Sequence, residues 1–124
     1  MCSILFTTKD IKDYDDINYY LKFRGPDDTS IVKDEVNNFT FVHNLLSMTG
    51  EFTTQPFQDD GIVCLYNGEI YNYKDFGDYK SDGYCIIDLY KEHGVNFVKK
   101  LDGEFAIALL DFNEDIILIA TDPF

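Results

Sequence analysis

The chain has 124 residues and a formal net charge of −13, with 45% hydrophobic and 16% aromatic residues. A domain of this length buries roughly two-thirds of its unfolded surface, and the composition excludes a disordered chain. The negative charge argues against nucleic acid or an anionic membrane surface as partner. The longest apolar run, Phe105 to Leu110, is too short to cross a bilayer. The sequence predicts one globular domain over residues 1–124.

Alternating β and α patterns run along the chain. The predicted elements, in order, are strand Cys2–Thr8, helix Ile11–Phe23, strands Ile31–Lys33, Phe39–Met48 and Ile62–Tyr66, a helix from near Gly83 to Gly94, a helical piece Asn96–Leu101, and strands Phe105–Phe112 and Ile116–Thr121. Breaks are expected at Arg24–Asp28 and at a hairpin over Asn113–Asp115. Strands dominate both ends, which favours an antiparallel α+β fold over a parallel one.

Cys2 combines two reactive groups if Met1 is removed, since it would then carry a thiol and a free α-amine. Thiols titrate near ~8.5 and α-amines near ~7.7–8.0, so the amine can act as a base close to neutral pH. A nucleophile activated by its own N-terminal amine is an established design. On position alone, the better interpretation of Cys2 is a small apolar residue opening a buried strand. The choice between a nucleophilic and a structural Cys2 therefore depends on motifs elsewhere in the chain.

The remaining cysteines and the histidines do not form a metal site by their spacing. Cys64 and Cys85 are interpreted as buried apolar residues, and His43 as a structural residue in a strand. The three cysteines are odd in number, and no signal peptide precedes them. The sequence therefore predicts no metal, no cofactor and a reducing, cytoplasmic setting.

Seven short segments occur in a fixed order across the chain: Cys2-Ser3-Ile4, Arg24-Gly25-Pro26-Asp27-Asp28, Gln55-Pro56-Phe57, Tyr66-Asn67-Gly68-Glu69-Ile70-Tyr71-Asn72, Ser81-Asp82, Leu101-Asp102-Gly103-Glu104-Phe105-Ala106 and Thr121-Asp122-Pro123-Phe124. Together they resemble the class II glutamine amidotransferase domain at the N-terminus of asparagine synthetases. The resemblance implies an N-terminal-nucleophile hydrolase fold, a four-layer αββα sandwich of antiparallel sheets. It also implies hydrolysis of a small-molecule amide, glutamine, through a thioester on Cys2.

The resemblance assigns roles to particular residues. Cys2 is the implied nucleophile, and the Asn67 side chain and the Gly68 N–H are the implied oxyanion hole. Asn-Gly between two strands also favours a hairpin turn by itself, and both interpretations can hold together. Glu69 and Asp82 match acidic positions that hold the ammonium group of glutamine. The alternatives are a solvated loop carboxylate for Glu69 and a helix N-cap for Asp82.

One departure from the family concerns the carboxylate of the substrate. Where the family reads His-x-Arg-Leu-Ser-Ile, this chain reads His43-Asn44-Leu45-Leu46-Ser47-Met48, so Leu45 replaces the arginine that binds the α-carboxylate of glutamine. Arg24 is the chain's one arginine, and the resemblance places it elsewhere. Loss of a bidentate guanidinium contact predicts weaker glutamine binding or a changed amide preference. Backbone groups along Leu46–Thr49 are still expected to line the pocket.

A second departure concerns the C-terminal end. The chain stops at Asp122-Pro123-Phe124, where family members continue with further strands and asparagine synthetases add an ATP-pyrophosphatase domain. We therefore expect a minimal or C-terminally truncated form of the fold, without the synthetase domain. Its last strand, Ile116–Thr121, is expected at a sheet edge, where a synthetase partner subunit or a second copy of the chain would pair with it.

Two functions compete at this stage. The first is glutaminase-type amide hydrolysis, with ammonia released to water or to a separate acceptor enzyme. The second is a catalytically weak or inactive module that serves as a binding or regulatory partner. Retention of Cys2, Asn67, Gly68, Glu69 and Asp82 favours the enzyme, and loss of the arginine favours the module.

Overall fold

The computed structural model describes residues 1–48 and 51–124. Within them the strands are β1 Ser3–Thr7, β2 Asp28–Asp34, β3 Phe39–Leu45, β4 Phe57–Asp59, β5 Ile62–Ile70, β6 Gly103–Asp111 and β7 Ile116–Thr121. The helices are α1 Tyr14–Leu21 and α2 Cys85–His93, with 3-10 segments at Lys22–Arg24, Tyr73–Asp75, Asp82–Tyr84 and Gly94–Lys100. All strand pairs are antiparallel, so the predicted antiparallel α+β class is confirmed.

The first sheet has the strand order β1-β3-β2. β3 is its central strand, and all of its residues after Phe39 are buried. Ser3 lies opposite Asn44, which brings the end of β3 beside the start of the chain. The predicted strand Cys2–Thr8 is one residue shorter at each end, so Cys2 lies just outside it. Cys2 directly precedes β1, which is an edge strand because β3 pairs with it on one side only.

The second sheet has the order β4-β5-β6-β7. β5 and β6 pair along their whole length, from Ile62 opposite Asp111 to Ile70 opposite Gly103. One face of this sheet packs against the first sheet through the buried cluster Phe41, Val63, Leu65, Ala108 and Leu110. The other face packs against α2 in a larger cluster that includes Cys64, Tyr66, Cys85, Ile86, Leu89, Tyr90 and Leu109. Burial on both faces makes β5 and β6 the centre of the fold.

β5 is longer than predicted, and this places the Asn-Gly dipeptide inside a strand. The hairpin-turn interpretation is wrong, because Asn67 and Gly68 pair with Ala106 and Phe105 in an uninterrupted ladder. The chain reverses instead after β4 and after β6, and the second reversal is the predicted hairpin over 113–115. The short strand β4 was missed, since three residues are too few to show a period.

The helices differ from prediction at their starts. α1 begins at Tyr14 rather than Ile11 because Asp13 caps it, its carboxylate accepting the N–H groups of Asp15 and Asp16 at 3.1 and 3.3 Å. α2 ends before Gly94, as predicted, and Gly94 has φ +61°, a conformation that glycine adopts readily. No helix in the described ranges is long and apolar enough to cross a membrane.

The last strand of the second sheet, β7, forms its outer edge. Ile117 and Ile119 pair with Leu110 and Ala108, so they lie on the face that elsewhere packs against the first sheet. Both side chains are exposed. The predicted position of Ile116–Thr121 at a sheet edge is confirmed.

Candidate active site

A pocket of about 120 Å³ is lined by the first residues of the chain, the end of β3 and the second half of β5. All six residues that the sequence singled out line it: Cys2, Leu46, Asn67, Gly68, Glu69 and Asp82. Met1 lines it as well. The folding of the two sheets therefore brings together residues that are far apart in the sequence, such as Cys2 and Asp82.

Backbone groups hold the Cys2 side chain at one wall of this pocket. Leu46 N–H donates to Cys2 Sγ at 3.4 Å, and the Sγ–H faces the Leu46 carbonyl oxygen at 3.9 Å. Arg24 Nε donates to the Cys2 carbonyl oxygen at 3.4 Å, so this arginine touches the backbone of Cys2 without lining the pocket. Leu46 thus contributes its backbone, as expected, whereas Thr49 lies outside the described residues.

The side-chain amide of Asn67 lines the pocket, and no group of the described residues donates a hydrogen bond to its oxygen. Asn67 Oδ1 is buried and has no hydrogen-bond partner among the described residues. Most buried side-chain polar atoms in folded proteins have a partner, so an unpartnered one calls for an explanation. Oδ1 is an acceptor, so it is open to a donor group of a ligand in the pocket, whereas the amide's own donor is Nδ2.

Gly68 is required by the close approach of β5 to β6. A Cβ at this position would overlap the Glu104 carbonyl oxygen and would lie 2.7 Å from Phe105 Cα. The backbone of Gly68 also has φ +147°, which side chains other than glycine rarely adopt. Both constraints exclude any other residue without local rearrangement.

The Gly68 N–H points away from β6. Phe105, its partner across the ladder, directs its hydrogen-bonding groups to the far side, where its N–H donates to Asp122 Oδ1 at 2.8 Å and its carbonyl accepts the Asp122 N–H at 3.1 Å. Paired residues in an antiparallel ladder either exchange both bonds or direct both outward, so Gly68 faces the opposite edge of β5. β4 pairs only with 62–64 and does not reach this point.

Two neighbours of Gly68 on that edge are already occupied. The Tyr66 N–H donates to Gln55 Oε1 at 2.7 Å, and the Ile70 N–H donates to Asp82 Oδ2 at 2.8 Å. Alternate residues of a strand direct their N–H groups to the same edge, so the Gly68 N–H lies between these two bonds. Among the described residues, no strand covers this N–H where Gly68 lines the pocket.

Asp82 serves β5 rather than the helix. Its Oδ2 accepts the Tyr66 hydroxyl at 2.6 Å and the Ile70 N–H, and its Oδ1 accepts the Gly83 N–H at 3.0 Å and the Ser81 hydroxyl at 3.3 Å. The N-cap interpretation is wrong, because Asp82 is the first residue of a 3-10 turn and its carboxylate faces the strand. Burial and the Asp82 carboxylate raise the pKa of Tyr66, which keeps its hydroxyl a neutral donor.

The pocket is acidic. Within the ranges that the structure describes, every charged side chain lining it is a carboxylate, from Glu51, Glu69 or Asp82. Glu69 is exposed on β5, and it is part of a strand rather than the loop considered from the sequence. Leu45, at the position of the missing arginine, is buried and lines the pocket. Lys80 Nζ lies 3.6 Å from Glu51 Oε2 but does not line the pocket.

The residues interpreted as structural lie outside this pocket. Cys64 and Cys85 are buried, and burial together with the nearby Asp82 raises the pKa of the Cys85 thiol to about 12. His43 is also buried, and burial lowers its pKa to about 4. No cluster of metal-ligating side chains is found in residues 1–48 and 51–124.

Two contributors were missed by sequence reasoning. Gln55 and Tyr66 both line the pocket and bond to each other across 11 positions of sequence. Each stood inside a segment that carried the resemblance, Gln-Pro-Phe and Tyr-Asn-Gly-Glu, and that membership was the available signal. Gln55 precedes a proline and belongs to no regular apolar pattern, so its local sequence does not indicate that it bonds to the backbone of another strand.

Comparison with known proteins identifies the family. The glutamine amidotransferase domain family matches residues 1–124. The chain is similar to the glutamine-hydrolysing asparagine synthetase 2 of Bacillus subtilis, at 35% identity over 115 residues, covering 84% of this chain and 15% of that protein. It is similar to asparagine synthetase 1 of Saccharomyces cerevisiae at 35% identity over 142 residues, covering 99% and 24%. It is also similar to the amidase chyE of Penicillium rubens at 36% identity over 90 residues, covering 64% and 13%.

The chain matches only part of each of these relatives. The chain spans at most 24% of the length of these proteins, and a synthetase domain is absent from its 124 residues. The matched domain extends over the whole chain, and the segments around the pocket lie within it. The chain belongs to the glutamine amidotransferase domain family.

Proposed function

We propose that this chain hydrolyses the side-chain amide of glutamine, with Cys2 as the nucleophile. One observation carries the proposal. The Cys2 thiol, the Asn67 side-chain amide and the outward-facing Gly68 N–H line a single pocket. A thiol and preorganised donors are the groups that acyl transfer from a primary amide needs. The glutamine-hydrolysing relatives support glutamine as the substrate.

Removal of Met1 precedes the chemistry, because an amine held in a peptide bond is not a base. The freed Cys2 amine takes the thiol proton, and the thiolate attacks the amide carbon. The C–S bond forms while the carbonyl electrons move to oxygen, and that oxyanion accepts hydrogen bonds from Asn67 Nδ2 and the Gly68 N–H. Met1 lines the same pocket, so its loss also enlarges the space for substrate.

The second half of the reaction uses the same amine. The ammonium group gives its proton to the leaving nitrogen, the C–N bond breaks, and ammonia departs from a thioester on Cys2. Water then gives a proton to the amine and attacks the thioester carbon. The C–S bond breaks, glutamate leaves, and the proton returns to sulfur. Ammonia passes to water or to a separate acceptor enzyme.

The substrate's two charged groups meet an asymmetric pocket. Glu69 and Asp82 attract the α-ammonium group of glutamine, and the pocket walls offer its α-carboxylate no basic side chain among the described residues. Leu45 fills the position where a guanidinium would stand. We therefore propose weak glutamine hydrolysis, with a smaller penalty for glutamine whose α-carboxyl is an amide. The similarity to an amidase is consistent with a changed amide preference.

The same leucine favours the second candidate, a catalytically weak or inactive module that binds or regulates a partner. A synthetase partner subunit or a second copy of this chain would pair with β7, which is an outer edge with Ile117 and Ile119 exposed. We rank this below the enzyme, because a purely structural module has no need of a thiol, a side-chain amide and an open backbone N–H around one pocket.

We also propose the four-layer αββα arrangement of N-terminal-nucleophile hydrolases. α2 covers the outer face of the second sheet. α1 contacts the first sheet through Asn18, which exchanges two amide hydrogen bonds with Asn44, and through Leu21, whose carbonyl accepts the Ser3 hydroxyl. The three free cysteines agree with a reducing, cytoplasmic setting.

Intact mass spectrometry after treatment with the glutamine analogue diazo-oxo-norleucine tests the proposal. We expect a mature mass that lacks Met1 and a single adduct, blocked by excess glutamine. Cys2→Ala should take no adduct, whereas Cys64→Ala, which removes a fully buried thiol, should take it as the wild type does. Glutamine turnover by protein that retains Met1, or by Cys2→Ala, would defeat the mechanism. A wild type with neither adduct nor turnover would favour the binding module.

A further inference from the structure

The Gln55 side chain makes the two hydrogen bonds to the Tyr66 backbone that a neighbouring strand normally makes. Its Nε2 donates to the Tyr66 carbonyl at 2.9 Å, and its Oε1 accepts the Tyr66 N–H at 2.7 Å. A backbone residue across an antiparallel ladder makes this same pair of bonds. Here a buried side chain makes them, so the backbone of Gln55 stands one side-chain length away from β5. Its own carbonyl accepts the Ser30 hydroxyl at 2.6 Å, on β2 of the other sheet.

The register of β4 shows what this replacement prevents. Phe57 pairs with Cys64. Because the strands are antiparallel, the residue two positions before Phe57 would pair with the residue two positions after Cys64. Continuation of the ladder would therefore place the backbone of Gln55 opposite Tyr66 and that of Thr53 opposite Gly68. The Thr53 carbonyl would then accept the Gly68 N–H. β4 instead begins at Phe57, and Thr53 lines the pocket across from β5.

We propose that Gln55 is a positioning residue for the oxyanion hole: its carboxamide replaces the continuing strand at Tyr66 and so leaves the Gly68 N–H free for the substrate. This inference rests on the proposed function. Asp82 holds the far end of the same stretch by accepting the Ile70 N–H and the Tyr66 hydroxyl. Gly68 is thus held between two fixed neighbours while its own donor remains open.

Amide hydrogen exchange on the full chain measures which N–H groups of β5 are hydrogen-bonded, and it does not require glutamine turnover. In the wild type we expect slow exchange at Tyr66 and Ile70 and exchange at least about tenfold faster at Gly68, because unpaired amides lack protection. Gln55→Met keeps the length of the side chain and removes both hydrogen bonds, so Tyr66 should lose protection. Gln58→Met is the matched control, since Gln58 is an exposed glutamine on β4, and it should leave the pattern unchanged.

Kinetics with glutamine test the positioning role itself. Removal of one oxyanion donor lowers kcat by about 10²–10³-fold, so a displaced donor in Gln55→Met should lower kcat by about 10-fold or more with KM within about threefold. Gln58→Met should keep the wild-type kcat. If Gln55→Met does not fold, Gln55→Asn retains the carboxamide one methylene short of Tyr66, and it should show the same separation of kcat from KM.

The outcomes are distinct. Protection at Gly68 equal to that at Tyr66 in the wild type would mean that the ladder covers this N–H, and it would overturn the inference. An active wild type with unchanged kcat in the folded Gln55 variant would overturn the positioning role and leave the proposed function standing. A wild type that turns over no glutamine overturns the proposed function, and the positioning role with it, whatever the exchange pattern.

Discussion

Substitution of Gly68 by alanine measures how tightly β5 and β6 approach at the pocket. The added Cβ would overlap the Glu104 carbonyl oxygen and lie 2.7 Å from Phe105 Cα, on a backbone with φ +147°. An unfavourable positive φ costs about 1–3 kcal/mol, and overpacking costs about 1–3 kcal/mol more. We expect Gly68→Ala to lower the free energy of unfolding by about 2–6 kcal/mol, a large part of the ~5–15 kcal/mol typical of a domain.

Two other glycines separate these contributions. Gly94 has φ +61° and open space where a Cβ would stand, so Gly94→Ala reports backbone strain alone. Gly103 has no such φ, but its Cβ would overlap the Glu69 carbonyl oxygen and lie 2.9 Å from Ile70 Cα, so Gly103→Ala reports overlap alone. Urea unfolding followed by circular dichroism suits a chain without tryptophan.

The comparison has a clear failing result. Gly68→Ala should be at least as destabilising as each of the other two substitutions, since it combines both penalties. If its free energy of unfolding lies within about 0.5 kcal/mol of the wild type, the change is no larger than that of an ordinary surface substitution. The close approach of β5 to β6 at Gly68 would then be wrong.

Three further predictions concern charge. Leu45→Arg adds a charge-assisted contact of about 1.5–3 kcal/mol, so steady-state assays should show a KM for glutamine about one to two decades lower, and a higher KM would mean that another group binds the carboxylate. Burial lowers the pKa of His43 from 6.5 to about 4. As pH falls below 6.5, the unfolded chain therefore binds a proton at His43 before the folded chain does, and about 3 kcal/mol of the free energy of unfolding should be lost towards pH 4. His43→Leu should remove this loss from urea unfolding curves measured across pH. An unchanged pH dependence in that variant would contradict the lowered pKa of His43. Glu69→Gln should raise KM for glutamine with stability unchanged, whereas Asp82→Asn should lower the unfolding free energy; the reverse pattern would exchange their roles.

Much of the architecture was predictable because it follows from local apolar patterns. The last two strands and the hairpin between them are continuous apolar runs around a turn of Asn and Asp residues, and α2 ends at the glycine where it was expected to end. The pocket's composition was also predictable, since the segments that carry the resemblance include nearly every residue singled out for it. These predictions needed no knowledge of which strands would be neighbours.

What was not predictable depends on contacts between distant parts of the chain. The extension of β5 through Asn67 and Gly68 is set by β6, which continues alongside from Gly103. The partner of Gln55 is a backbone 11 positions away, and no local propensity describes a side chain that stands in for a strand. Asp82 was a reasonable helix cap by its local sequence, but the tertiary contacts with Tyr66 and Ile70 prevailed.

The two carboxylates that the resemblance assigns to one ammonium group stand in different chemical situations. Asp82 accepts four hydrogen bonds from its own chain, which fills the roughly four lone-pair sites of a carboxylate. Glu69 is exposed and lines the same pocket. An ammonium group entering the pocket gains charge attraction from both but finds free lone pairs mainly on Glu69. Under the proposed function we therefore expect Asp82 to fix the strand that carries Asn67 and Gly68, and Glu69 to contact the substrate directly.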